Sequence, residues 1–360
     1  MAETALPLPD AVVALVNHHW YDAAASMLAL RTTSLLPGDD EDLITEAARM
    51  ATAAKRVLDL DAEDFGPIAA GYDYPWAVAL ANARFPLEPR EVNRGALGSL
   101  VPLYELMLEV VQLRSARHES LQVVVTAHLI GEYLGHLAWE GILGHAGDPA
   151  RMRDSTDGLW GTDDPACPHT SAQRATAKRS LNACDGDVPG YTAYLDRFHS
   201  RLGDALGVCA MNHATLEAGE RPDVGETCPD PCAFALRPSL PQRRDLDARV
   251  RLARIYQDSP IVSLRHHAPV GHFFGVPSVA EISDAWLRTW DKLTQQWPDG
   301  SNPLLAGSVT RPVVEDEALP GLSALVSVVA GRPIGPGHVI RDIGTDVVAL
   351  FADVRPGSAS

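Results

Sequence analysis

Apolar residues recur at three- and four-residue intervals over much of this chain, a spacing that predicts helices. Residues 10–30 carry the pattern first, and residues 41–60 repeat it after the turn at Pro37 and Gly38. A turn-rich stretch is expected over 66–89, punctuated by Gly66, Pro75 and Pro89. The longest helical pattern spans 101–143, with a break expected at 114–119 and a stop at Gly144, Gly147 and Pro149. Loop-like sequence follows to residue 170, then helical patterns over 171–183 and 191–216, then an irregular stretch rich in Pro, Cys and Arg over 217–243. Residues 245–257 read as a short amphipathic helix, 259–277 as a buried loop or short strand, and 280–296 as a further helix. Residues 346–354 are the candidate strand, and 355–360 a loose tail.

Strand signals are too few and scattered for a parallel sheet. The expected fold is mainly α, an irregular multi-helix globular fold with a Cys-rich, loop-containing middle segment and little β. Three regions are expected within one compact unit: an N-terminal helical region (1–95), a central helical region with a Cys/His metal centre (96–245) and a C-terminal mixed region (246–360).

Charge narrows the list of partners. Acidic residues outnumber basic ones 47 to 30, a formal net charge of -17. Such a surface repels nucleic acid and anionic membranes on average, so neither is an expected partner. The basic groups around Arg174, Lys178 and Arg179 and at Arg243 and Arg244 are short and lie close to acids. No run approaches the roughly 20 apolar residues of a membrane span, and the acidic start at Glu3 lacks the basic n-region of a signal peptide. A cytoplasmic location is expected, where disulfides rarely persist.

That expectation changes how the cysteines read. All five lie between positions 167 and 232, as Cys167, Cys184, Cys209, Cys228 and Cys232. Clustered thiols in a reducing compartment point first to metal binding. Cys228 and Cys232 flank a turn containing two prolines, and Cys209 and His213, four apart on an expected helix, leave the same face. Together they read C-x3-H-x14-C-x3-C, a helix pair plus a loop pair suited to tetrahedral zinc. Cys167 in place of His213 would supply a fourth thiolate, suited to zinc or an iron–sulfur cluster. Cys184 is the cysteine most readily left out, as a small core residue.

The long helical pattern carries a polar stripe in apolar surroundings. His128, Glu132, His136 and Glu140 follow at four-residue steps. A buried carboxylate without a partner costs several kcal/mol, so Glu132 needs a cation, a histidine or a metal. Glu132 can share one ion with His128 or with His136. All three cannot share it, because the two histidines stand roughly 12 Å apart along the axis. Glu105 and Glu109 could complete a carboxylate-rich, non-haem iron site of the di-iron kind, although the spacing here is E-x-x-x-H rather than E-x-x-H. The alternative is a self-satisfied Glu–His network.

A second cluster gathers Arg265, His266, His267 and His272 with two aromatics in a glycine-punctuated apolar stretch. Histidine is readily poised near neutral pH and is a common metal or haem ligand, and Arg265 can anchor a carboxylate through two parallel hydrogen bonds. Helical haem-dependent oxygenases use such a combination, although no motif here identifies that family. The alternative is a buried loop whose polar side chains satisfy its own backbone.

Phosphate-binding and dinucleotide-binding glycine loops are absent from the sequence, as are H-E-x-x-H and the G-x-S-x-G elbow. The acidic runs at 39–42 and 163–164 sit in loop sequence without a matching second metal motif.

Two functions remain. One is a metal-, cluster- or haem-dependent enzyme, an oxidoreductase in the favoured form, acting on a small molecule, with the cysteine centre as a structural staple. Glu132 or His136 would serve as ligand or general base, and His266, His267 or His272 as ligand or acid, with Arg265 holding the substrate. The other is a non-enzymatic helical interaction or regulatory protein stapled by zinc or an iron–sulfur cluster.

Overall fold

The computed structural model describes residues 7–36, 40–148, 151, 240–267, 275–307 and 317–352. These residues are mainly helical, with no strand among them. They fall into two compact units, one comprising Met1–Arg84 and Gly337–Ser360, the other Phe85–Pro336.

The first unit holds α1 (Leu8–Asn17), α2 (Tyr21–Thr33), α3 (Glu41–Leu58), α4 (Phe65–Ala70) and α5 (Pro75–Ala83). Asp40 caps α3, its carboxylate accepting from the Leu43 N–H. The face of α3 bearing Ile44, Ala47, Met50, Ala51, Ala54, Val57 and Leu58 is buried, and α2 packs along this helix. The turn-rich stretch expected at 66–89 instead contains α4 and α5. Pro75 opens α5 at its first turn, where a missing N–H costs nothing, so this proline starts a helix.

The strand expected at 346–354 is a second difference. Residues Val339–Leu350 form a helix, and its buried positions Val339, Ile340, Ile343, Gly344 and Val347 recur at helical spacing. The pattern begins well before residue 346, so a reading confined to the Asp346 region sees only a short apolar run. This helix packs on α1, α3 and α5. Gly344 permits the approach, because an added Cβ would stand 2.6 Å from the Tyr21 hydroxyl. That hydroxyl donates to the Ile340 carbonyl at 3.0 Å, and Trp76 Nε1 donates to Asp346 at 2.8 Å.

The second unit starts with α6 (Gly95–Gly98), α7 (Val101–Ala116) and α8 (Ser120–Leu143). The break between α7 and α8 lies where it is expected, at 117–119. His118 turns the chain there with φ +58°, and Glu119 pairs with Arg114 and Arg117. After it come α9 (Leu240–Gln257), α10 (Pro260–Ser263) with a 3-10 turn over Leu264–His267, α11 (Val279–Leu293), α12 (Pro303–Ala306) and α13 (Leu322–Ala330). The C-terminal helix of the first unit is α14 (Val339–Leu350). The region around 259–267, expected as loop or strand, is therefore helical turn. Pro260 again occupies a first-turn position.

Helix α8 is the axis of this unit, with α7, α9, α10 and α13 packed against it. Tyr104 of α7 and Tyr256 of α9 are fully buried and donate to α8 carbonyls, at Ile130 (2.7 Å) and Ala127 (2.8 Å). Burial pushes both phenols above their ordinary range. Gly131 makes room for α9, since a Cβ there would meet the Tyr256 ring at 3.2 Å. No described helix is long and apolar enough to cross a membrane.

Candidate functional site

The four-residue spacing that aligns His128, Glu132, His136 and Glu140 on α8 leaves open which neighbours each side chain meets. The structure divides the stripe into two halves with different surroundings.

At the C-terminal half Glu140 and His136 have protein partners. Glu140 accepts from Ser99 Oγ at 2.7 Å and from the Leu100 N–H at 2.9 Å, and Arg332 closes on its carboxylate. His136 is fully buried, with Nδ1 3.3 Å from the Ala146 carbonyl oxygen. Nearby, Arg94 makes two parallel bonds of 2.8 Å to Asp148 and donates to the Pro89 carbonyl at 2.8 Å. The Asp148 N–H donates to His145 Nδ1 at 2.9 Å. Gly144, at φ +72°, ends the helix and lets the chain turn into this network. Glu105 lies close enough to feel Arg332, but burial dominates and raises its carboxyl above the usual range.

The N-terminal half differs. His128 Nε2 lies 2.8 Å from Glu132 Oε1, with side chains 9% and 14% exposed. The two are not aligned as a hydrogen bond, and neither ring nitrogen of His128 has a hydrogen-bond partner among the described residues. A buried imidazole in that condition is uncommon, since buried polar groups are nearly always satisfied.

Arg265 and His266 lie on the Leu264–His267 turn, which packs against α8. Arg265 is half-buried, and its Nε is buried without a hydrogen-bond partner. His266 is exposed. The structure thus brings the element carrying Arg265 onto the helix carrying Glu132. The side chain of His267 and the whole of His272 lie outside the described residues, as do Cys167, Cys184, Cys209, His213, Cys228 and Cys232. Among the described residues no three His, Cys, Asp or Glu side chains gather as a metal-holding group.

Sequence reasoning left both His128 and His136 open as neighbours of Glu132, and the structure places His128 Nε2 2.8 Å from Glu132 Oε1. The signal was present but degenerate, because both histidines stand four residues from Glu132. The roles of Arg94, Asp148 and Arg332 had no local signal.

The first unit contains a separate open cleft of about 550 Å³, with Thr32, Arg49, Thr52, Arg56, Ile68 and Tyr72 among its lining. Its charges are already partnered: Arg49 with Glu46 at 2.7 Å, and Arg56 with Asp61 at 2.6 Å and Asp64 at 2.5 Å. Arg49 also stands 5.4 Å over the Tyr72 ring.

No family model, curated protein or solved structure matches this chain.

Proposed function

We propose that this protein is a metal-, cluster- or haem-dependent enzyme, an oxidoreductase in its favoured form, that acts on a small molecule at the face of α8 bearing His128 and Glu132. The cysteine segment serves in this reading as a structural zinc or iron–sulfur staple. The observation that supports the reading is the state of His128: a buried imidazole beside a carboxylate, with both ring nitrogens lacking hydrogen-bond partners.

A carboxylate at one ring nitrogen orients the imidazole, and the other nitrogen would then serve a metal ion or a substrate proton. The misalignment of the pair is compatible with this role, because catalytic hydrogen bonds are often loose before the substrate or ion arrives. Glu132 is accordingly the orienting group and His128 the ligand or base.

The second reading is a non-enzymatic interaction or regulatory protein stapled by zinc or a cluster. The bonds of Arg94 to Asp148 and of Glu140 to Leu100 and Arg332 favour it, because they hold the end of α8 and the following segment as a framework requires.

Metal analysis and an absorbance spectrum of protein purified without oxygen separate the two. The enzyme reading expects an ion or haem that His128→Gln removes while the cysteine-held metal stays. One zinc, a featureless visible spectrum and no change in His128→Gln would replace it with the framework reading.

A further inference from the structure

Building on the reading of His128 and Glu132 as the working pair, we infer that the molecule handled at this face is a small monocarboxylate, held through its carboxylate by Arg265.

The argument begins from a contrast among the arginines of the second unit. Arg94, Arg114, Arg117 and Arg249 are largely buried, and each meets a carboxylate: Asp148, Glu119, Glu119 and Asp245 respectively. Arg265 is half-buried, yet its guanidinium makes no ion pair among the described residues, and its Nε, like those of Arg117 and Arg249, is shielded from water without a hydrogen-bond partner. A guanidinium stays charged at any pH at which the protein is folded, so it cannot escape desolvation by losing a proton. A buried N–H donor left without an acceptor is costly. Binding an external anion would satisfy it.

The chemistry of the group and its surroundings narrows the anion. The planar fork of a guanidinium presents two parallel N–H donors, and a carboxylate fits them in a bidentate pair. The turn bearing Arg265 packs on α8, the helix that carries His128 and Glu132, so the anion is held at the helix of the proposed chemistry. One guanidinium supplies a single positive charge, and Glu132 adds a negative charge to the same helix. A phosphate dianion is therefore repelled more strongly than a carboxylate monoanion. The chain's net charge of -17 acts in the same direction. His128, nine-tenths buried and without hydrogen-bond partners, is left to act on the remainder of the bound molecule.

The test uses the full chain with acetate, benzoate, phenylacetate and inorganic phosphate as probes, followed by calorimetric titration and thermal unfolding. At least one carboxylate is expected to bind and raise the unfolding temperature, with phosphate far weaker. Arg265→Met should weaken carboxylate binding roughly tenfold to a hundredfold, the range of a charge-assisted pair. Its urea midpoint should stay at the parental value, because Arg265 makes no ion pair among the described residues. Arg265→Lys keeps the charge but loses the fork and should fall between. The inference is overturned if no carboxylate binds, if phosphate binds as well, if Arg265→Met retains parental affinity, or if Arg265→Met destabilises the fold. His128→Gln separates this inference from the reading it rests on. It should keep carboxylate affinity within a few-fold. Carboxylate binding through Arg265, with no effect of His128→Gln on any bound ion or haem, would retain the anion site and remove the enzymatic reading.

Discussion

Replacing Arg94 by methionine tests how the end of α8 is secured. Arg94 and Asp148 have side chains 10% and 0% exposed and share two bonds of 2.8 Å. Methionine keeps most of the aliphatic volume but leaves the Asp148 carboxylate buried without its guanidinium. Breaking a buried pair from one side costs about 3–5 kcal/mol, mostly as the free energy of the abandoned charge. The donor to the Pro89 carbonyl is lost as well, so the upper part of that range is expected. The double variant Arg94→Met with Asp148→Asn removes the abandoned charge and should recover part of the loss, a coupling of about 1–3 kcal/mol. Urea denaturation followed by tryptophan fluorescence and circular dichroism is the appropriate assay, since urea, unlike guanidinium chloride, leaves ion pairs unscreened. The loss should persist in high salt, as expected of a pair shielded from water. A cost below about 1 kcal/mol for Arg94→Met, or single effects that simply add, would refute the claim that this pair anchors the segment.

Two further outcomes follow from the structure. Gly321 has φ +93°, and an added Cβ would lie 2.3 Å from the Trp290 ring, whereas Gly144 has φ +72° with nothing within 4 Å. Gly144→Ala should therefore cost only the left-handed strain, about 1–2 kcal/mol, while Gly321→Ala adds overlap and should cost about 3 kcal/mol or more, read from thermal unfolding. Burial pushes the Asp247 carboxyl up to about 6, with Arg251 opposing and Asp299 reinforcing the shift. The fold thus favours its protonated form; that stabilisation is complete below the unfolded value of 3.8 and is lost as pH rises through about 6. Asp247→Asn should gain about 1–2 kcal/mol over the parent at pH 8, allowing for the solvent that still reaches the group, and nothing near pH 3. A gain independent of pH would contradict the assignment.

The same unevenness between local and distant information runs through the fold. The helical faces of α3, α8, α9 and α11 were legible because a helix repeats every 3.6 residues and its buried side is written into neighbouring positions. The break at 117–119 and the stop at Gly144 were legible for the same reason. Helices α4 and α5 were hidden by prolines that also serve as turn residues. Helix α14 was hidden because its apolar run, read from the middle, is too short to show a period. Of the candidate site, the sequence displayed the polar stripe on α8 and the basic turn at Arg265.

Spacing along α8 determined which side chains share its polar face, since that depends only on helix geometry. It could not distinguish His128 from His136 as the neighbour of Glu132, because the two are equivalent by spacing. Tertiary structure added partners from far away in sequence: Asp148 lies 54 residues from Arg94, and Arg332 lies 192 residues from Glu140. Those contacts hold Glu140 and its surroundings, while in the other half the ring nitrogens of His128 lack hydrogen-bond partners among the described residues. Long-range pairing of charges depends on where the chain returns, and no local pattern of residues encodes that.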